Sequence, residues 1–181
     1  MIPVLIVRGE AMAQVFRKLL EPEFGREIRV SESNYVGSSV TSARSTLLRR
    51  KYVVALVTDA KPEELRQTHR SIVYLLSGVA CADLWKINLL VPETEVLLFQ
   101  DRGVLRQLLG REPTEEELLR GQTEPRRTLE EALGFEWLAL DAELCRRLEA
   151  VDVSPLAEHS SVRQVRQFFR DHRDGRASLP F

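Results

Sequence analysis

Six charged residues fall where an α/β sheet gathers its chemistry. Arg8 and Glu10 follow the apolar run 3–7, Asp59 and Lys61 follow the run 52–58, and Glu93 and Glu95 follow the run 84–91. In open α/β sheets ligands bind outside the carboxyl ends of the strands, so these side chains are the first candidates for a site. Glu10, Asp59, Glu93 and Glu95 offer hard oxygen ligands, the kind taken by Mg²⁺ or Mn²⁺. Arg8 offers a planar fork and Lys61 a point charge, and both suit phosphate. Neither a Gly-x-Gly-x-x-Gly turn after a strand nor a Gly-x-x-x-x-Gly-Lys-Ser/Thr loop occurs, so no nucleotide cofactor is expected.

The elements that must position these residues read clearly in the first half. Residues 3–7 and 52–58 are continuous apolar runs, which marks strands buried on both faces of a parallel sheet. Ala11, Met12, Val15, Phe16, Leu19 and Leu20 recur at helical spacing, and Pro22 and Gly25 are expected to end that helix. Residues 27–33 alternate weakly, as a short edge strand does. Ser38 or Ser39 is expected to cap a helix running to about Lys51. Pro62, Glu63 and Glu64 open another helix, reaching about Leu76, before a fourth strand over 84–91. Strands alternating with helices predict an α/β fold with a mainly parallel central sheet of about four strands, flanked by helices. Beyond it the chain reads as helical, with short helices over 93–100 and 104–109 and a capping signature at Thr114–Glu117. Further helices are read over 129–133, 141–148 and 161–172, and the tail over 174–178 is expected to be mobile. The helical C-terminal third, 111–181, is expected to pack on the domain formed by 1–110.

The stretches Val7-Arg8-Gly9-Glu10, Gly37-Ser38-Ser39, Val57-Thr58-Asp59-Ala60-Lys61 and Pro92-Glu93-Thr94-Glu95-Val96-Leu97-Leu98 come in an order that resembles the Toprim domain. The likeness is closest to the small Toprim-like proteins related to the overcoming-lysogenization-defect (OLD) nucleases, and it covers roughly residues 1–110 on this periodicity reading. It implies phosphodiester chemistry on nucleic acid, supported by Mg²⁺ or Mn²⁺, and a partner ATPase. On that basis Asp59 and Glu10 are the expected catalytic residues. Asp59, Glu10, Glu93 and Glu95 are the expected metal ligands, and Arg8 and Lys61 the expected phosphate contacts.

Two departures from the family pattern matter. Arg8 stands where the family has its glutamate, and Lys61 where it has the second aspartate of Asp-x-Asp. With Asp59, these positions carry a formal +1 in place of −3, which repels a divalent cation. Three readings follow. The favoured one is a degenerate Toprim-like protein that binds a nucleic-acid phosphate or a partner such as an ATPase without efficient cleavage. The second is a Mg/Mn-dependent nuclease with a rearranged carboxylate site. The third is a small-molecule-binding α/β protein that uses the same crevice.

Composition narrows the rest. The 181 residues carry 26 basic and 27 acidic side chains, a net of −1, so the whole molecule has no strong field for nucleic acid or anionic lipid. No apolar run approaches the roughly 18–20 residues that span a bilayer. Two cysteines, Cys81 and Cys145, make no disulfide framework, and a cytoplasmic setting is the expectation. Of the basic residues 22 are Arg. Arg163, Arg166, Arg170 and Arg173 form a helical stripe that reads as a solvated face, and otherwise as a phosphate track. Arg44, Arg49, Arg50 and Lys51 read as cations at a helix end, where they offset the dipole, or as a nucleic-acid contact. His69, His159 and His172 lie too far apart for metal-ligand spacing, and Trp85 and Trp137 read as packing residues.

Overall fold

The computed structural model describes residues 1–49 and 51–175, the side chains of 137 and 138 excepted. The expectations for Arg50, for the tail beyond Gly175 and for the Trp137 side chain lie outside the described residues. The chain runs β1 (Ile2–Arg8), α1 (Glu10–Phe24), β2 (Arg29–Ser33), α2 (Val36–Leu47), β3 (Tyr52–Asp59), α3 (Leu65–Ser77) and β4 (Trp85–Leu90). A 3-10 helix, Thr94–Gln100, leads into α4 (Arg102–Leu109), α5 (Glu115–Arg120), α6 (Pro125–Leu133), α7 (Trp137–Leu148) and α8 (Ser160–Arg173).

The four strands form one sheet in the order β2-β1-β3-β4, every pair parallel. β1 and β3 are central because their apolar side chains serve both faces. Leu5, Val7, Ala55 and Val57 enter the larger core with α1, α7 and α8. Val4, Ile6, Val54 and Leu56 enter a smaller one beneath α2 and α3. The alternation of side chains along a strand divides each sequence between the two layers. Among the described residues no helix is long and apolar enough to cross a membrane.

Local expectations need three corrections. Pro22 lies inside α1, which continues to Phe24 and closes at Gly25, whose N–H reaches the Glu21 carbonyl. Tyr35, not Ser38 or Ser39, holds the N-cap position of α2, and the helix ends at Leu47. Ser38 instead accepts the Tyr35 N–H at 3.2 Å, while Ser39 is buried and bonded to Ser33 of β2. Three of the four arginines in the α8 stripe tie that helix to α1, while Arg163 stays exposed at the surface. Arg166 donates to the Leu19 carbonyl at 2.6 Å, Arg170 is paired with Glu23, and Arg173 lies over the Phe24 ring. The Arg170 hydrogen bond holds the Glu23 carboxyl below its usual range.

Packing is tight around the 3-10 helix. Gly121, just past α5, faces the buried ring of Phe99, and a Cβ there would lie 2.0 Å from Cδ1. Gly121→Ala is therefore expected to destabilise by about 1–3 kcal/mol, the cost of overpacking a filled core. Chemical denaturation measures it, and a loss within about 0.5 kcal/mol, ordinary for a surface change, would show that Phe99 yields freely.

Candidate functional site

The strand order places the chain's reversal between β1 and β3. α1 carries it outward to β2 over one face of the sheet, and the return through α2 and β3 uses the other. The crevice outside the carboxyl ends of β1 and β3 is therefore the switch point of the sheet. Arg8 ends one strand and Asp59 the other, and they are bonded there: Arg8 Nη1 donates to Asp59 Oδ2 at 2.5 Å. Both side chains are mostly buried, at 13% and 14% exposed. Thr58 donates to the second carboxylate oxygen at 3.3 Å. Burial pushes the Asp59 carboxyl above its usual range, against the downward pull of the Arg8 guanidinium.

A second charged group adjoins the first. The Thr94 hydroxyl has two acceptors in reach of its one proton, the Arg8 carbonyl at 3.3 Å and Glu95 Oε2 at 3.1 Å. Glu95 is 1% exposed and takes the Arg126 guanidinium at 3.1 Å; Arg126 also reaches Asp141 Oδ2 of α7 at 3.2 Å. Glu93 accepts the Arg126 backbone N–H at the start of α6, at 3.1 Å, where the positive end of the helix dipole favours a carboxylate. Burial raises the Glu95 carboxyl, with Arg126 and then Arg8 opposing. Arg126 likewise acts on Asp59, so the two groups share one field. The run Val96–Phe99 is buried in the larger core, which fixes the 3-10 helix and so the direction of Glu95.

Of the six sequence candidates, Arg8, Asp59, Glu93 and Glu95 thus meet at one rim. Glu10 and Lys61 stand outside these bonded groups. Gly9 adopts φ 86°, a conformation that side chains disfavour, and this sharp turn makes Glu10 the first residue of α1. Its carboxylate is exposed and acts on Cys145 of α7, a thiol pushed up to about 11, chiefly by burial. Lys61 is exposed and has no ion pair among the described residues. Arg126, Asp141 and Thr94 were not foreseen from sequence.

The donor set does not fit the metal that the Toprim resemblance implies. A guanidinium is bonded to the aspartate that would be the first ligand, and a second guanidinium holds Glu95. Among the described residues no three His, Cys, Asp or Glu side chains are arranged to hold a metal ion. What the arrangement does chemically is neutralise carboxylates internally. A guanidinium does this without the Lewis acidity that polarises a phosphate or acidifies water.

Sheet order, crossovers and switch point define the class: a doubly wound α/β fold with an all-parallel four-stranded sheet, consistent with a Toprim-like fold. The C-terminal region of the Xanthomonas campestris pv. campestris OLD protein shares it, with a TM-score of 0.55 at 17% identity over 96% of each chain. No family model matches the sequence, and no curated protein matches it.

Proposed function

We propose that this chain is a Toprim-like module that binds and does not cleave, Arg8 having taken the position of the metal-binding glutamate. The observation that carries this reading is the Arg8–Asp59 ion pair across the switch point. A mostly buried pair of this kind satisfies Asp59 without a cation, and a divalent ion entering there would meet the positive charge of Arg8 at close range. The fold shared with the OLD protein's C-terminal region supports a nuclease-related ancestry.

The partner this reading favours is a protein, an ATPase being the kind that the resemblance implies. Arg8 is engaged with Asp59, which leaves Lys61 alone for a nucleic-acid phosphate at this rim. On the α2–α3 face, by contrast, Tyr35 is 63% and Tyr74 80% exposed. Between the two helices lies a groove of about 590 Å³, in which the aliphatic Val36, Val40, Ile72 and Leu75 are mixed with polar side chains such as Arg44 and Glu64. Aromatic and aliphatic side chains beside a groove are the usual anchors of a protein contact.

Calorimetry with Mn²⁺ and incubation of plasmid DNA with Mn²⁺ test the proposal on the wild-type chain. No saturable heat and intact plasmid are expected. Micromolar uptake of Mn²⁺, or cleavage abolished by Asp59→Ala, would overturn it in favour of a metal-dependent nuclease.

A further inference from the structure

At the opposite end of the sheet from Arg8 and Asp59, α2 stands away from the strands over a recess of about 250 Å³. Its floor is Val4 and Ile6 of β1 and Tyr52 at the start of β3. Its walls are polar. Ser42, Ser45 and Thr46 of α2, with Arg49 just beyond, recur at helical spacing along one side; Arg29 and Ser31 alternate on the facing side of β2.

These positions depart from what packing alone requires. A helix lying on a sheet normally fills such a gap with branched aliphatic side chains, because interiors leave few voids larger than a water molecule. Here short hydroxyl residues leave the gap open. No carboxylate lines it. Among the described residues neither Arg29 nor Arg49 has an ion-pair partner, and the hydroxyls of Ser31, Ser42, Ser45 and Thr46 make no hydrogen bond. Arg26, Arg44, Arg66, Arg70 and Arg163 also have no ion pair among the described residues; Arg29 and Arg49 are distinguished by lining one recess that holds no carboxylate. Lys51, over the Tyr52 ring at 5.5 Å, adds a third positive charge nearby. The carboxyl-terminal end of α2 contributes roughly half a negative charge, less than any one of these cations.

We propose that this recess binds a phosphate monoester, its charge taken by Arg29 and Arg49 and its oxygens by the surrounding hydroxyls. A monoester presents three terminal oxygens and up to two negative charges, which matches two forks and several neutral donors. A backbone diester has only two such oxygens and a single charge, and it runs along a surface instead of ending in a recess. The ligand class is therefore a small phosphorylated molecule or inorganic phosphate. The site is independent of the Arg8–Asp59 rim, so its failure leaves the non-cleaving reading untouched, and the reverse holds as well.

Calorimetry on the full chain, with inorganic phosphate, AMP and adenosine as probes, tests it. Phosphate and AMP are expected to bind and adenosine not to. Arg29→Gln and Arg49→Gln, both at exposed positions, should each weaken AMP by about tenfold or more, the size of one lost charge-assisted contact. Arg44→Gln, on the side of α2 that lines the other groove, should leave binding unchanged. Lack of binding by the wild type overturns the proposal, as does an equal loss in Arg44→Gln, which would indicate diffuse attraction. Single-stranded oligonucleotides with and without a 5′-phosphate separate the remaining sources. Preference for the phosphorylated end supports the site; indifference to it assigns the basic residues to a nucleic-acid backbone and overturns the monoester.

Discussion

Replacing Arg126 by methionine is expected to destabilise the protein by about 3–5 kcal/mol at neutral pH, the cost of stranding a buried charge. Arg126 is 6% exposed and Glu95 1% exposed, so little solvent reaches either. At about 2–4 °C per kcal/mol for a chain of this size, the melting temperature should fall by roughly 10 °C. The pH dependence is diagnostic. The Glu95 carboxyl is already raised by burial, with Arg126 the main opposing influence, so losing Arg126 raises it further. A carboxyl that is raised in the folded state binds a proton more readily there than in the unfolded chain. The penalty is therefore absent below the unfolded value and grows as pH rises towards the folded one. The variant should lose little near pH 4 and most at neutral pH. Glu95→Gln in the same background should recover part of the loss, because it removes the stranded charge. Denaturant titrations at several pH values measure all of this. A loss below about 1 kcal/mol at neutral pH, the range of an exposed ion pair, would mean that Glu95 is not held as described.

Arg8→Glu is expected to create the metal affinity that the proposed non-cleaving reading denies to the wild type. The substitution removes the guanidinium from Asp59 and sets a second carboxylate beside it, which supplies a pair of the hard oxygen ligands that Mg²⁺ and Mn²⁺ take, while Glu95 stays with Arg126. Without metal the variant should melt below the wild type, since like charges are then forced together out of water. Mn²⁺ should restore it, by about 2.7 kcal/mol at a hundredfold excess over the dissociation constant. Arg8→Ala also strands Asp59 but supplies no ligand, and should show the loss without the rescue. Thermal melts with and without Mn²⁺ distinguish the two. If Mn²⁺ leaves the melting of Arg8→Glu unchanged, Arg8 is not what bars the metal.

These two arginines differ in how far sequence reveals them. Arg8 directly follows an unbroken apolar run, and the rule that strand ends carry function singles it out together with Asp59. Arg126 lies in the polar stretch Glu124-Pro125-Arg126-Arg127, where nothing separates it from its neighbour. Tertiary packing makes the distinction, for Arg126 turns inward to Glu95 while Arg127 stays at the surface with Glu131. The strands were legible for a related reason: β1 and β3 are apolar on both faces, a pattern that few other elements produce. Helix starts were less so. α6 and α7 begin four residues before the runs read from 129 and 141, because first turns are often polar and carry little periodic signal. Gly9 hid the displacement of Glu10, since a strand-end motif lists residues in order and says nothing of the turn between them.

The larger core has a consequence for synthesis. Leu129, Leu140, Leu144, Leu148, Val162, Val165 and Phe169 roof the apolar side of α1 and the central strands, yet all of them leave the ribosome after the sheet's last strand. Until they emerge, Met12, Phe16 and Leu19 have no cover on that side, and the nascent chain presents a sticky surface for the time needed to translate the second half. Exposed apolar surface of this kind is what makes partly synthesised chains prone to aggregation.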